Sequence, residues 1–223
     1  MRYKIYYQMG GSLFNNKEII CIYPLAPKDV LKDYTSDKIV VCVSNNPKYS
    51  VVYYNLPVNS IIYCSFYEKQ NLPKEVFDFL KERKIKIVCA CGKINNRNLT
   101  PNFDNVNNVI NLSDYDVSII NNNLINFIDT ELKNVNYKYQ PSTGFIMLMD
   151  VISQNPNKIY IYGYSFFVPK FSIKNNYKSR IDVITHSFKK EFKILKKYLE
   201  KENVIKDDML NYVLDNENEI PGD

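Results

Sequence analysis

The chain has no tryptophan and a single histidine, His186, among its 223 residues. One imidazole excludes a His–His metal pair and leaves one side chain suited to proton exchange near neutral pH. Glycine is scarce, six in all, and forms neither a P-loop nor a Gly-x-Gly-x-x-Gly turn, so the common phosphate-binding fingerprints are missing. No apolar run approaches the roughly 18 residues of a membrane span, and the N-terminus lacks a secretory h-region. The expectation is a soluble, cytoplasmic protein without a transmembrane segment. A formal charge of +5 with dispersed lysines favours an acidic ligand but is no nucleic-acid footprint.

Five cysteines are present: Cys21, Cys42, Cys64, Cys89 and Cys91. Each lies in a short apolar run, where a free thiol behaves as a small buried hydrophobe. The odd count agrees with a reducing compartment. Cys89-x-Cys91 on a strand directs both thiols to one side, but one histidine and no second Cys-x-Cys argue against a zinc site.

Hydrophobic residues make up 45% and charged residues 24% of the sequence, ordinary values for one globular core. Excess Asn, Ile, Lys and Tyr reflects AT-biased coding more than chemistry. Strand-like runs recur at Arg2–Gln8, Glu18–Tyr23, Lys38–Ser44, Ser60–Phe66, Ile85–Cys91, Asn107–Leu112 and Lys158–Gly163. Several are nearly continuous apolar segments, as strands buried on both faces require. Helical patterns intervene. Pro73 opens one with Val76, Phe77 and Leu80 on one face, Gly144–Gln154 forms another, and His186–Asn203 is amphipathic with Phe188, Phe192, Leu195 and Leu199 aligned. Its lysine-rich opposite face offers a peripheral membrane contact. The alternation predicts an α/β fold, a Rossmann-like mostly parallel sheet with helices on both faces. Residues 1–203 read as one domain. Residues 204–223 read as a C-terminal tail or helix with a frayed acidic end.

The segment QPSTGFIMLMDVISQNPNKIYIYGYSFF, from Gln140 to Phe167, carries the clearest chemistry. Ser142 and Thr143 are good N-cap residues, and Gly144 allows close backbone approach to a ligand. A helix starting there presents free N–H groups and the positive end of its dipole, a site for a carboxylate or phosphate. The strand that follows ends at Gly163, delivering the loop Tyr164–Phe167 to the carboxyl edge of the sheet, where α/β folds bind ligands. Any capped helix followed by a strand shares this outline, so the segment alone does not decide a function.

Pro141-Ser142-Thr143-Gly144, the apolar helix and the strand ending in Tyr162-Gly163 resemble the small sialyl motif of eukaryotic-type sialyltransferases and the Ser-Gly segment of small bacterial sialyltransferases. His186-x-x-x-x-Glu191 is similar to the very short sialyl motif of the eukaryotic-type enzymes. The resemblance spans Pro141–Glu191, under a quarter of the chain. It implies a variant single-domain glycosyltransferase fold and transfer of sialic acid, or a related nonulosonic acid, from a CMP-activated donor to a sugar hydroxyl. It implies inversion, no cofactor and no metal. His186 is the implied general base, with Glu191 orienting it, and Ser142, Thr143 and Gly144 hold the donor's negative groups. Free solvation of a helix charge is the plainer expectation for Glu191, and packing for His186.

In the N-terminal half the family carries a Gly-Asn-Gly-like loop after an early strand. Two registers fit. In the preferred one Lys4–Phe14 is that loop, with Gly10 and Gly11 in place of its core, and Val40–Tyr49 is a later nucleotide-lining strand end. In the other, Val40–Tyr49 is itself the loop. Either places Asn45 or Asn46 in the nucleotide crevice, although Asn-Asn-Pro is also an ordinary turn. The sequence departs from the family where tyrosines support the leaving phosphate. Phe167 stands there, with Tyr164 and Tyr177 as substitutes, and a phenyl ring cannot donate a hydrogen bond. Two other readings remain. One is an inactive relative that binds glycans or nucleotides. The other is a metal-dependent glycosyltransferase using Asp114-Tyr115-Asp116.

Overall fold

The computed structural model describes residues 13–44, 46–64, 74–90, 93–94, 97–98, 117–119, 122–136, 141–171 and 186–222. The expected strands Arg2–Gln8 and Asn107–Leu112 lie outside them, as do Gly10, Asn45, Asp114, Asp116 and Tyr177.

Seven strands form one sheet: β1 (Glu18–Ile22), β2 (Ile39–Val43), β3 (Ile61–Cys64), β4 (Lys86–Cys89), β7 (Val117–Ile119), β8 (Lys158–Tyr162) and β9 (Val204–Lys206), in the order β7-β4-β3-β2-β1-β8-β9. Every pairing is parallel, so the α/β expectation holds. The short strands β5 (Lys93–Ile94) and β6 (Arg97–Asn98) pair separately and antiparallel. The central strands are buried throughout: Ile19, Cys21, Ile22, Val41, Cys42, Ile62 and Tyr63 are all fully inaccessible. That is why their sequences run apolar instead of alternating.

From β1 the chain steps outward through β2, β3 and β4 to β7, then returns to the other side of β1 as β8. Helices α1 (Pro47–Tyr53) and α2 (Lys74–Glu82) make the outward crossovers, and α3 (Asn122–Asn134) and α4 (Thr143–Ser153) the return. Right-handed crossovers put the outward and return helices on opposite faces. The order reverses between β1 and β8, so their carboxyl ends form the crevice where such sheets bind ligands.

Helix α4 lies over the middle of the sheet. Phe145, Ile146, Met147, Leu148, Met149 and Val151 are all fully inaccessible. Its one carboxylate in that run, Asp150, is 6% exposed. Tyr63 of β3 donates to its Oδ2 at 2.5 Å, and Gln154 Nε2 donates to Oδ1 at 2.8 Å. Burial raises the Asp150 carboxyl and the two hydrogen bonds pull it partly back. Three cysteines, Cys21, Cys42 and Cys64, are buried free thiols as the composition suggested, and burial pushes Cys42 up to about 12.

The sequence reading gives no strand after His186. The structure adds one, because helix α5 (Phe188–Leu199) turns back and feeds β9 onto β8. Helix α6 (Asp208–Asp215) then buries Leu210 and Val213, and Ile220 near the end is 3% exposed. Short β9 escapes a periodicity test, since three residues carry no pattern. Asp207 joins the two parts: its Oδ1 caps α6 through Leu210 N at 2.8 Å, and its Oδ2 accepts from Gly163 N at 2.6 Å. Among the described residues no helix is long and apolar enough to cross a membrane.

Gly163 has φ +76°, and a Cβ there would sit 2.1 Å from the backbone N of Ala26. No rotamer relieves a backbone clash. Gly163→Ala is expected to cost at least about 4 kcal/mol, the extreme end for one substitution, and Asp207→Ala about 1–2 kcal/mol as a lost cap. Urea denaturation of the two variants checks the order; equal, small losses would contradict the close approach.

Candidate functional site

Three elements meet at the β1–β8 crevice: the chain leaving β1 at Tyr23, the first turn of α4, and the loop leaving β8. The Tyr23 and Tyr164 rings stack at 4.0 Å and 6°, and Tyr164 stacks on Phe166 at 4.0 Å. Tyr23 OH donates to Gly144 O at 3.0 Å. A Cβ on Gly144 would meet Tyr23 Cε1 at 2.8 Å. The glycine is therefore needed by this chain's own tyrosine, where the sequence suggested room for a ligand. Tyr23 is a site residue the sequence reading missed; its only signal was its place at the end of a central strand.

The first turn of α4 is capped twice. Ser142 Oγ accepts from Phe145 N at 3.1 Å. Ser142 N and Oγ in turn donate to Glu191 Oε1 and Oε2, each at 2.7 Å. Glu191 is fully buried on the inner face of α5, which corrects the solvated reading. Two hydrogen bonds of this length at the positive end of a helix are the compensation a buried carboxyl group requires. The N–H groups of Thr143 and Gly144 find no acceptor among the described residues.

Burial, reinforced by the Glu191 charge, holds the Tyr164 phenol well above its ordinary value; Ser142 acts the other way. Tyr23 is raised mainly by burial, then by Tyr164, Cys21 and Glu191. The Tyr164 hydroxyl lies beside Ser142 and Glu191 yet makes no hydrogen bond among the described residues.

The loop after β8 is strained. Phe166 and Phe167 both have positive φ, 47° and 59°, a conformation bulky residues seldom adopt and one that costs on the order of 1–3 kcal/mol each. Ser165 steadies it, its Oγ accepting from Phe167 N at 3.2 Å and its O accepting from Val168 N at 3.0 Å. Phe167 packs on Phe188 of α5 at 4.2 Å, and the His186 ring lies 5.6 Å from that of Phe188. His186 is half-buried, directly before Ser187, the N-cap of α5. Ser142, Tyr164, Phe167, His186 and Glu191 are thus brought into one cluster.

Asn46 stands apart from this cluster, at the carboxyl end of β2. It caps α1, Oδ1 accepting from Tyr49 N at 3.2 Å, and its own N donates to Ser44 Oγ at 3.0 Å. It is exposed, and what the structure shows is the turn and cap role. Tyr54 OH, from just beyond α1, reaches Tyr23 O at 3.2 Å and ties this part of the edge to the crevice.

Two solved sialyltransferases have this architecture. The monofunctional alpha-2,3-sialyltransferase Cst-I from Campylobacter jejuni superposes with TM-score 0.56 at 17% identity, over 93% of this chain and 80% of that one. A variant of the sialyltransferase CST-II in complex with CMP superposes with TM-score 0.51 at 16% identity, over 85% and 81%. The fold is shared. No family model matches the chain, and no curated protein matches it in sequence.

A buried hydroxyl without a partner costs about 1–3 kcal/mol. Tyr164→Phe is therefore expected to leave the melting temperature unchanged or to raise it by about 2–4 °C per kcal/mol recovered. A clear fall in differential scanning calorimetry would mean that the hydroxyl is bonded.

Proposed function

We propose that the chain is a sialyltransferase-type glycosyltransferase, moving sialic acid or a related nonulosonic acid from a CMP donor to a sugar hydroxyl. The observation that carries this reading is the Ser142–Glu191 pair, which joins the two motif halves at the crevice of a fold shared with Cst-I. A donor lying across the carboxyl edge reaches Asn46 with its nucleotide and the N–H groups of Thr143 and Gly144 with its negative groups. Asn45, Gly10 and Tyr177 would complete the donor contacts. His186 takes the proton of the acceptor hydroxyl as that oxygen attacks the anomeric carbon. The anomeric C–O bond breaks, CMP leaves with the electron pair, and the centre inverts. The single phosphate of a CMP donor calls for no metal.

One observation favours a second reading, a relative that binds CMP or glycans without turnover. Phe167 packs on Phe188, so its ring is an apolar wall where a phosphate-supporting phenol is expected.

The protein is to be incubated with CMP-sialic acid and a lactose-type acceptor, with and without EDTA, and CMP release followed. Turnover indifferent to EDTA is expected, and His186→Ala should lower kcat by about 10²–10⁴-fold while CMP binding by calorimetry persists. CMP binding without turnover would support the second reading, and EDTA-sensitive turnover the Asp114-x-Asp116 alternative. Neither release nor binding would sink the proposal.

A further inference from the structure

A surface helix keeps its apolar residues inward and its polar ones outward. Helix α1 follows only half of that rule. Pro47, Ser50, Val51 and Tyr54 are buried, but the outward positions hold Lys48, Tyr49 and Val52. Tyr49 is 58% exposed and Val52 64%. The Tyr49 ring stacks on half-buried Tyr53, one turn further on, with centroids 5.2 Å apart. Spacings of three and four put these side chains side by side on one face. Val58, 60% exposed, stands on the turn that follows, and that turn is firmly closed. Ser60 N and Oγ both donate to Pro57 O, at 3.3 and 2.7 Å, and Asn59 N donates to Lys84 O at 3.0 Å. Among the described residues the one other exposed large apolar side chain is Ile205.

We infer that this face of α1 is a contact surface for an anionic lipid bilayer, an inference that does not rest on the sialyltransferase reading. Charge is the first reason. From Asn46 to Ser60 the only charged residue is Lys48. Lys48 Nζ and the Arg83 guanidinium both lie 5.5 Å from the Phe79 ring of α2, so two cations that attract lipid phosphates edge the apolar face. Exposed Glu75 and Glu82, on the Phe79 side of α2 by their spacing, temper that attraction, and the apolar contact contributes the larger share. Residue type is the second reason: a tyrosine, apolar in its ring and polar at its tip, suits the boundary between acyl chains and headgroups. Size is the third. A helix of seven residues is about 10 Å long, and its face falls well short of the roughly 800 Å² per partner of a stable protein interface. A second copy of the chain therefore does not fit, whereas a bilayer sets no minimum area. The lysine-rich face of α5, where the sequence suggested a membrane contact, is engaged within the protein. Lys196 meets Glu217 at 3.0 Å and Glu200 at 4.0 Å, Lys197 meets Glu131 at 2.8 Å, and Lys190 Nζ donates to Asn136 O at 3.3 Å.

The test is flotation of the full chain with vesicles of phosphatidylcholine mixed with phosphatidylglycerol, and with vesicles of phosphatidylcholine alone. Binding to the mixed vesicles is expected, with weaker binding to the neutral ones. Tyr49→Ser combined with Val52→Ser should weaken it at least about tenfold, the scale of withdrawing one apolar side chain from a buried contact. The melting temperature should hold, since both positions are exposed. Lys48→Ala should weaken binding by up to about fivefold. Lys189→Ala combined with Lys193→Ala, both exposed on α5, is the control and should bind like the parent. No binding to either vesicle, or binding lost in the α5 control and kept in the α1 variant, would overturn the proposal. So would a monomer–dimer equilibrium in sedimentation velocity that the α1 variant abolishes, because the occupant would then be a second copy. Failure to release or bind CMP would count against the functional reading alone, since flotation needs neither.

Discussion

Helix α4 is buried along its middle, from Gly144 to Val151. Its first-turn N–H groups need partners from the protein, and its dipole places positive charge inside the fold. Glu191 meets the charge and holds the capping residue Ser142, whose hydroxyl in turn takes the Phe145 N–H. The carboxylate itself would cost several kcal/mol to bury alone, and hydrogen bonds to a charged group return about 1.5–3 kcal/mol each. Helix and carboxylate are mutually dependent, and so are the segments that hold them. The return crossover and α5 meet at the Ser142–Glu191 pair. Lys197 of α5, donating to Glu131 of α3 at 2.8 Å, adds a peripheral tie between the same layers, worth little at its exposure.

The other end of α4 repeats the principle with a different outcome. Asp150 faces β3, where Tyr63 meets it, and Gln154 links it onward, its Oε1 accepting from Phe14 N at 3.2 Å. Here burial outweighs the donors and the carboxyl is raised. A buried polar pair at each end fixes the register of an otherwise uniformly apolar helix, which on packing alone could slide along the sheet.

The parallel sheet was legible because strands buried on both faces read as continuous apolar runs, and the Ser142 cap because capping chemistry is local. What escaped was non-local. Glu191 sits at a position a helical wheel assigns to the buried face, yet a charged residue there reads as solvated unless its partner, 49 positions away, is known. Tyr23 looked like the end of a strand, and only the fold turns it into the wall that requires Gly144. The strand β9 was too short to show a period, and Asp207, its link to Gly163, has no meaning until the two segments are adjacent.

The site is built more from aromatic packing than from hydroxyls. Tyr23, Tyr164 and Phe166 stack at the crevice, and Phe167 and His186 both pack against Phe188. The strained turn at Phe166 and Phe167 is held by this packing, since an isolated chain would relax it. On the proposed reading, leaving-group charge must then be met by backbone: Thr143 and Gly144 N–H, at a helix end whose field Glu191 partly cancels. A preorganised pair of N–H groups in a dry site can carry such a load, but only if their aim is fixed. On that reading the Ser142–Glu191 pairing, which anchors the start of α4, would supply that fixed aim where Phe167 offers no hydroxyl.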